Sequence, residues 1–442
     1  MQITSSYGVE ILKLHSPLKK TMQVSREAVS WLLPVIGKEW EKLKGISGEK
    51  KRFNAAEKLI HGTRNNRASY PFDEAFPKMP SYLRRAILQH VIGRVSAADA
   101  QGRKKEYAES AGERAGKKPG EYCRRREQKD HYMPVFYRDN MYRREEGGTY
   151  LKLYNGSDWV WYQVRLKKTD MDYLKKKWTG KKEKSPVLVR RNRKYFLQFA
   201  FEEQAELRER GIWEQKICAV DLGINTDAVC SIMRADGTVA ARRFISFPAE
   251  KDRLSHVLGR IRKKQGRYGS GSIRGLWSYA GRLNDETARR TAGGIVDFAR
   301  EYGADVIVFE HLEMHGRIRG KKRQRLHMWK KDTVQKVTEH HAHRHGIRIR
   351  RVCAWNTSAL AYDGSGPVAR DEKNHSLATF QNGKRYNCDL SATYNIGARY
   401  FIREILKTVP ETEQSLLAAK VPGAGRRTSC VYADLLRLAA CM

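Results

Sequence analysis

Three carboxylates are the side chains of this sequence best suited to chemistry. Asp221 closes the apolar run "KICAVD", Glu310 closes "DVIVFE", and Asp389 lies in "YNCDLSATYNIGARYFI", at the start of a helical stretch whose Ala392, Ile396 and Tyr400 share a face. Short unbroken apolar runs of this kind read as buried strands. An isolated acid at a strand end is more often an edge residue or a helix cap. Three acids brought to one point would repel one another, and burying one ionised carboxylate without a partner is costly. A divalent cation removes the conflict. Mg²⁺ takes a few carboxylates with waters and phosphate oxygens, and two such ions about 4 Å apart can activate water and stabilise the leaving oxygen of a phosphodiester.

The elements that must position these acids give the C-terminal half an α/β character. "KICAVDLGI" and "TDAVCSIMRADGTVAARRFISF" read as two or three strands, with Asp236-Gly237 as a tight-turn signal. "DRLSHVLGRIRKKQGRYG" and "ARRTAGGIVDFAREYG" read as basic helices, and "ADVIVFEHL" as another buried strand. The earlier part is different. Residues 1 to 20 hold an extended segment of imperfect alternation. Ser25 is the expected N-cap of "REAVSWLLPVIGKEW" and Ser81 that of "YLRRAILQHVIGRVSAA". In the second helix Leu83, Ile87 and Val91 recur every fourth residue, which points Arg84, Arg85 and Gln89 away from the core, as a solvated face or as nucleic-acid contacts.

Residues 101 to 130 turn polar and read as a charged helix or linker. After them the period becomes two. "DWVWYQVRLKK" sets Val160, Tyr162, Val164 and Leu166 on one face and Trp159, Trp161, Arg165 and Lys167 on the other. "SPVLVRRNRKYFLQFAFEE" reads as a hairpin turning near Asn192, with Tyr195, Leu197, Phe199 and Phe201 on one face. Residues 131 to 210 are therefore expected to form a small antiparallel barrel or sheet, whose aromatic and basic outer face suits edge protection or a nucleic-acid platform.

The 442 residues carry 86 Lys plus Arg against 49 Asp plus Glu, a formal charge of +37, which points to a polyanionic partner. No apolar run reaches the roughly 18 residues of a membrane span, so no membrane partner is expected. The seven cysteines are odd in number and irregularly spaced, as in a reduced, cytoplasmic protein.

"VDLGIN", "IVFEHL" and "CDLSATYNI" resemble, in order and context, the split RuvC active site of the RNase H fold in TnpB transposon nucleases and type V CRISPR effectors. The pattern Asp389, Ser391, Ala392, Thr393, Asn395, Ile396 carries most of the resemblance, and "RLHMWKKDTVQKVTEHHAHRHGIRIRRVCAWNTS" is similar to the stretch between that group's Glu and last Asp. The resemblance spans about residues 216 to 400, and the chain's length suits the miniature, TnpB-like branch. It implies a multidomain α+β protein: an RNase H-like RuvC domain in the C-terminal half, and an N-terminal wedge β-barrel interrupted by a helical recognition domain. The expected boundaries are 1–20 for the first wedge strand, 21–125 for the recognition domain and 126–212 for the barrel. Residues 213–353 would carry the first two RuvC motifs, 354–387 a target-nucleic-acid-binding insert, and 388–442 the last motif and tail.

The function so implied is that of a prokaryotic CRISPR-defence endonuclease. It would bind a guide RNA, read a short flanking (PAM) motif of target double-stranded DNA through the wedge and recognition domains, and cleave by one Mg²⁺-dependent RuvC site. Asp221, Glu310 and Asp389 would be the catalytic residues and ligands of two Mg²⁺ ions, with Mn²⁺ as a substitute. Some miniature effectors act as two copies on one guide RNA, which makes a second copy an expected partner. The alternatives are a transposon-encoded TnpB nuclease and a guide-RNA-dependent DNA-binding protein that does not cut.

One departure from the group is plain. Most of its members carry a four-cysteine zinc knuckle before the last Asp, whereas residues 356–389 here contain no Cys-x-x-Cys, and the candidates are Cys353, His375 and Cys388. No zinc site is expected, and the insert should fold without metal beside the pocket. Arg370 and Arg385 are the basic residues expected to reach the strand there. "GRIRGKKRQR", with Arg317 and Arg319, and nearby Trp329 are expected to form a basic lid or strand near the nucleic acid. His341 and His345 in "HHAHRH" lie one helical turn apart, a spacing that suits zinc but equally a helix surface beside RNA.

Overall fold

Period-two and period-3.6 patterns segregate along this chain, and strands and helices then share their cores. The structure, a computed structural model, describes residues 1–64, 66–114, 132–268, 273–311, 328–372, 374, 376–425 and 429–442. It divides into two compact units, Thr4–Glu203 and Met1–Ile3 with Gln204–Met442. No helix among the described residues is long and apolar enough to cross a membrane.

In the first unit an antiparallel sheet is built from β1 (Gln2–Leu12), β2 (Tyr142–Glu145), β3 (Gly148–Tyr154), β4 (Trp159–Leu166), β5 (Lys182–Glu183), β6 (Val187–Arg191) and β7 (Lys194–Gln204). Its order is β2-β3-β4-β1-β7-β5, with β6 also on β7. Asn192 and Arg193 both take positive φ, 49° and 66°, the conformation a two-residue hairpin turn demands. Tyr195, Leu197, Phe199 and Phe201 are buried on one face of β7, as their alternation predicts. The residues ahead of β2 return to β6: Val135 bridges Val187, and the Leu188 amide donates to the Pro134 carbonyl at 2.8 Å. That return curls the sheet.

Helices α1 (His15–Lys44), α2 (Glu49–Ile60), α3 (Phe72–Ala75) and α4 (Ser81–Arg114) complete this unit. Leu18, Met22, Val29, Leu32 and Ile36 of α1 join Leu83, Ile87, Leu88 and Val91 of α4 in one core with the sheet. Ser25 is not a cap. Because Leu18 and Met22 find partners in that core, the helix begins eleven residues earlier, with Leu14 at the N-cap position, and the buried Ser25 hydroxyl donates to the Thr21 carbonyl at 2.7 Å. A further helix, α5 (Lys168–Trp178), follows β4.

The second unit is centred on a five-stranded sheet of β8 (Lys216–Asp221), β9 (Ala228–Arg234), β10 (Val239–Ile245), β11 (Val306–His311) and β12 (Arg348–Cys353). The order is β10-β9-β8-β11-β12. β8 and β9 pair antiparallel, as do β9 and β10, whereas β8, β11 and β12 run parallel. Between them come α6 (Pro248–Tyr268), α7 (Arg274–Glu301) and α8 (Lys331–Arg344). Cys218, Val220, Ile307 and Phe309 form one face of the sheet and pack with Ala292, Ile295 and Val296 of α7 and Val334 and Ala342 of α8. Ile217, Ala219, Val306 and Val308 form the other face, under α9 (Cys388–Thr408). A three-stranded sheet of β13 (Ala369–Arg370), β14 (Leu377–Thr379) and β15 (Arg385–Asn387) leads into that helix, with Ala361, Ala378, Phe380 and Cys388 as its core. Helices α10 (Glu411–Lys420), α11 (Pro422–Gly425) and α12 (Tyr432–Cys441) follow.

Candidate functional site

Strand parity decides where the acids point. Val308 pairs Ala219 and Phe309 pairs Val220, so one step further Asp221 and Glu310 stand side by side at the carboxyl ends of adjacent parallel strands. Adjacent strands are about 4.8 Å apart, and side chains alternate between faces. Asp221 therefore shares the face of Ile217 and Ala219, and Glu310 that of Val306 and Val308, both covered by α9. Asp389 lies in the first turn of that helix, whose N-cap Asn387 accepts from the Leu390 amide at 2.9 Å. A carboxylate is favoured there by the helix dipole. Two strand ends and one helix start thus bring acids from positions 221, 310 and 389 to one edge of one sheet.

Electrostatics report the same convergence. The Asp221 carboxyl is held well above the ordinary carboxylate range, first by burial, then by Glu310 and Asp389, while Arg370 pulls the other way. Burial raises Glu310, opposed by its hydrogen bond from Thr357 and by the Arg399 charge. Burial also raises Asp389, opposed by Arg370. Each shift means that the site disfavours the negative charge in the absence of further cations.

A buried polar frame holds the site. The Thr357 hydroxyl donates to Glu310 Oε1. Asn395, fully buried, donates from Nδ2 to the carbonyls of Thr357 and Leu360, both at 3.0 Å, and its Oδ1 accepts from the Tyr432 amide at 3.0 Å. Arg399, only 3% exposed, donates from Nη1 to the carbonyls of Cys353 at 2.7 Å and Trp355 at 2.8 Å. Two glycines admit the close approaches. A Cβ on Gly223 would come within 2.6 Å of the Thr226 carbonyl, and one on Gly397 would overlap Met233 Sδ. Asn395 was legible in the sequence as part of the Asp389 pattern. Thr357, Arg399 and Gly397 were not, because their partners lie far away in the chain.

The donor set suits a hard divalent cation: it is all oxygen and triply acidic, and the neighbouring cations are Arg370 and Arg399. As the side chains stand, no group of three or more His, Cys, Asp or Glu among the described residues is closed tightly enough to hold a metal ion. The donors therefore fit a divalent cation in kind.

The other expected contacts fall in several places. Arg370, on β13, acts electrostatically on both Asp221 and Asp389 and donates to the Ser358 carbonyl at 3.4 Å. Arg385 is exposed and faces Asp371 at 3.5 Å. Cys388 is buried in the insert's core, Cys353 is a free exposed thiol, and His375 lies outside the described residues. Arg317 and Arg319 lie outside them too. Trp329 is half-buried against the core beneath α7 and α8, and lines a 490 Å³ cavity that Leu222 and Gly223 also border. His341 and His345 fall in and just past the last turn of α8, and burial lowers the pKa of each.

Two expected surface contacts are corrected. Arg84 does not point away from the core: it is 7% exposed, with Nη1 3.0 Å from Asp73 and Nη2 3.7 Å from Glu57. The α2–α4 packing encloses it, and acids on α2 and α3 make its burial tolerable. Trp159 is in the core, 5.5 Å from the Tyr154 ring, while Val160 is 40% exposed. The cause is α1, which reaches that end of the β3–β4 hairpin, where Thr21 Oγ1 accepts from the Tyr154 amide. Arg85, Gln89 and Arg165 are exposed as expected, and Trp161 is half-buried with the Arg143 guanidinium 4.3 Å over its ring. Arg85 and Gln89 also line an 880 Å³ groove with Phe53, Tyr82 and Tyr137.

Residues 5–155 match the profile of the Aq_aa04 family. No curated protein matches the chain. Among solved structures the chain is similar to Cas12f1 in its complex with sgRNA and target DNA. The two are 12% identical, covering 96% of this chain and 81% of that one, with a TM-score of 0.49. It is also similar to a CRISPR-Cas12f ternary complex at 14% identity, with 86% and 80% covered and a TM-score of 0.32. A third is C2c1 of Alicyclobacillus acidoterrestris in complex with single-guide RNA, at 9% identity, with 88% and 69% covered and a TM-score of 0.43.

Proposed function

We propose that this chain is an RNA-guided DNA endonuclease of the miniature type V CRISPR kind, cutting target DNA at the Asp221, Glu310 and Asp389 site. The observation that carries the reading is the register that sets Asp221 beside Glu310 at the ends of β8 and β11, under the helix whose first turn holds Asp389. The sheet order β10-β9-β8-β11-β12, in which β9 alone runs against the other four strands, supports an RNase H-like RuvC domain over 213–353 and 388–442. The insert at 354–387, the helical recognition domain at 21–125 and the wedge segments at 1–20 and 126–212 complete the proposed arrangement.

Asp221, Glu310 and Asp389 would hold Mg²⁺, as one or two ions for which Mn²⁺ could substitute, and bound there it supplies water activation and charge stabilisation at the leaving oxygen. The chain's own residues do the rest. Thr357 holds the Glu310 carboxylate through its hydroxyl, and the Arg399 charge favours its ionised form. Arg370 stands close enough to act on two of the acids and can receive a phosphate oxygen of the strand through its guanidinium. The formal charge of +37 attracts both guide RNA and target duplex.

Alanine at Asp221 or at Asp389 should abolish Mg²⁺-dependent cleavage of guide-matched DNA while leaving guide-RNA binding nearly intact. Full cleavage by either variant overturns the assignment. Sequencing the RNA that co-purifies with the protein assigns the context, since a repeat-derived guide marks CRISPR and an RNA from a transposon end marks TnpB.

A further inference from the structure

Trp355 is 68% exposed, more than any other large apolar side chain among the described residues. A lone exposed apolar side chain is ordinary. This one is set apart by the rigidity of its backbone. Arg399 holds the Trp355 carbonyl at 2.8 Å and that of Cys353 at 2.7 Å. Asn356 follows in the left-handed region at φ 58°, and its carbonyl accepts from the amides of Ala359 and Leu360 at 3.3 and 3.2 Å. Thr357 is tied through its hydroxyl to Glu310 and through its carbonyl to Asn395. Asparagine is among the few non-glycine residues that enter this region readily, so the turn is set there at little cost.

The location is equally specific. Glu310 pairs with Val352, so Trp355 stands three residues beyond the strand pair that carries Glu310, within a chain reach of about 10 Å. Arg370 donates to the carbonyl of Ser358 on the same turn, and its charge acts on Asp221 and Asp389. One short turn therefore carries an exposed indole and borders a guanidinium that acts on two of the acids.

We infer that Trp355 is a positioning residue: a platform on which one unpaired nucleobase of the strand being cut stacks, next to the phosphate that Arg370 receives. The inference rests on the nuclease reading above. Every base has a π-face, so such a platform grips single strands without reading their sequence. Its frame, pinned by Arg399 and Asn395, lets the stacked base set the phosphate's distance from Glu310.

The test uses the full chain with its guide RNA and a fluorophore-labelled single-stranded DNA target. Trp355→Ala should raise KM about five- to fiftyfold, with kcat changed far less, and Trp355→Phe should recover most of the loss. Single abasic substitutions scanned along the strand should weaken binding to wild type at one position near the cut, and that sensitivity should vanish in Trp355→Ala. An abasic profile identical in wild type and Trp355→Ala overturns the inference, as does Trp355→Phe behaving like Trp355→Ala. Running the scan as a binding measurement in the Asp389→Ala background separates the two ideas. Cleavage by Asp389→Ala would sink the nuclease reading, whereas the abasic profile decides the platform whether or not the strand is cut.

Discussion

Asn395 Nδ2 donates to the carbonyl of Thr357 at 3.0 Å across 38 residues of chain, and Thr357 in turn donates its hydroxyl to Glu310. Two buried groups thereby tie the helix whose first turn holds Asp389 to the strand whose end carries Glu310.

Asn395→Ala should break that tie. It leaves the Thr357 and Leu360 carbonyls and the Tyr432 amide without their partner, at a cost of roughly 2–4 kcal/mol. Asn395→Asp should be worse, because it sets a carboxylate against two carbonyls. Thermal unfolding followed beside single-turnover cleavage checks both. A variant with wild-type stability would show that the three bonds do not act together.

Neutralising one acid should stabilise the unit while ending catalysis. Asp221 sits above its ordinary range because of burial and the charges of Glu310 and Asp389. The folded form therefore holds protons that the unfolded chain releases, and stability falls as pH rises from the unfolded carboxylate value, near 4, through the raised folded value. In a chelator at pH 8, Asp221→Asn should melt several degrees above wild type, and the gap should narrow at pH 5. A gap that widens on acidification would reverse the sign assigned here.

Gly397→Ala tests the seating of the helix. The added Cβ would overlap Met233 Sδ and stand 3.4 Å from the Ala219 Cβ, on the strand that carries Asp221. Overpacking of this kind costs about 1–3 kcal/mol. In a Met233→Ala background the penalty should shrink, a non-additivity that a double-mutant cycle reads directly.

Arg84 and Arg85 are neighbours with opposite roles. Arg84 is enclosed with Asp73 and Glu57, so Arg84→Ala should lower stability by roughly 1–3 kcal/mol. Arg85 is half-exposed beside Phe53, and Arg85→Ala should change stability by less than about 0.5 kcal/mol. Parallel melts of the two variants settle the distinction, and equal losses would contradict it.

The local patterns read from sequence were those a single element can express. The β6–β7 hairpin follows from a turn at Asn192 and a period of two, and the acids at positions 221 and 310 follow from apolar runs that end in a charge. Both signals are carried by residues that are neighbours along the chain. The structure decided what covers each element. Trp159 and Arg84 exchanged the surface for the interior because α1 reaches over the hairpin and because acids on α2 and α3 enclose the guanidinium. Ser25 ceased to be a cap because Leu18 and Met22 found core partners. The meeting of Asp221 with Glu310 depends on strand register, and the frame of Thr357, Asn395 and Arg399 depends on carbonyls at the end of β12 and in the loop that follows it. Periodicity tells a residue which way it faces. Only packing between segments remote in sequence decides what it faces.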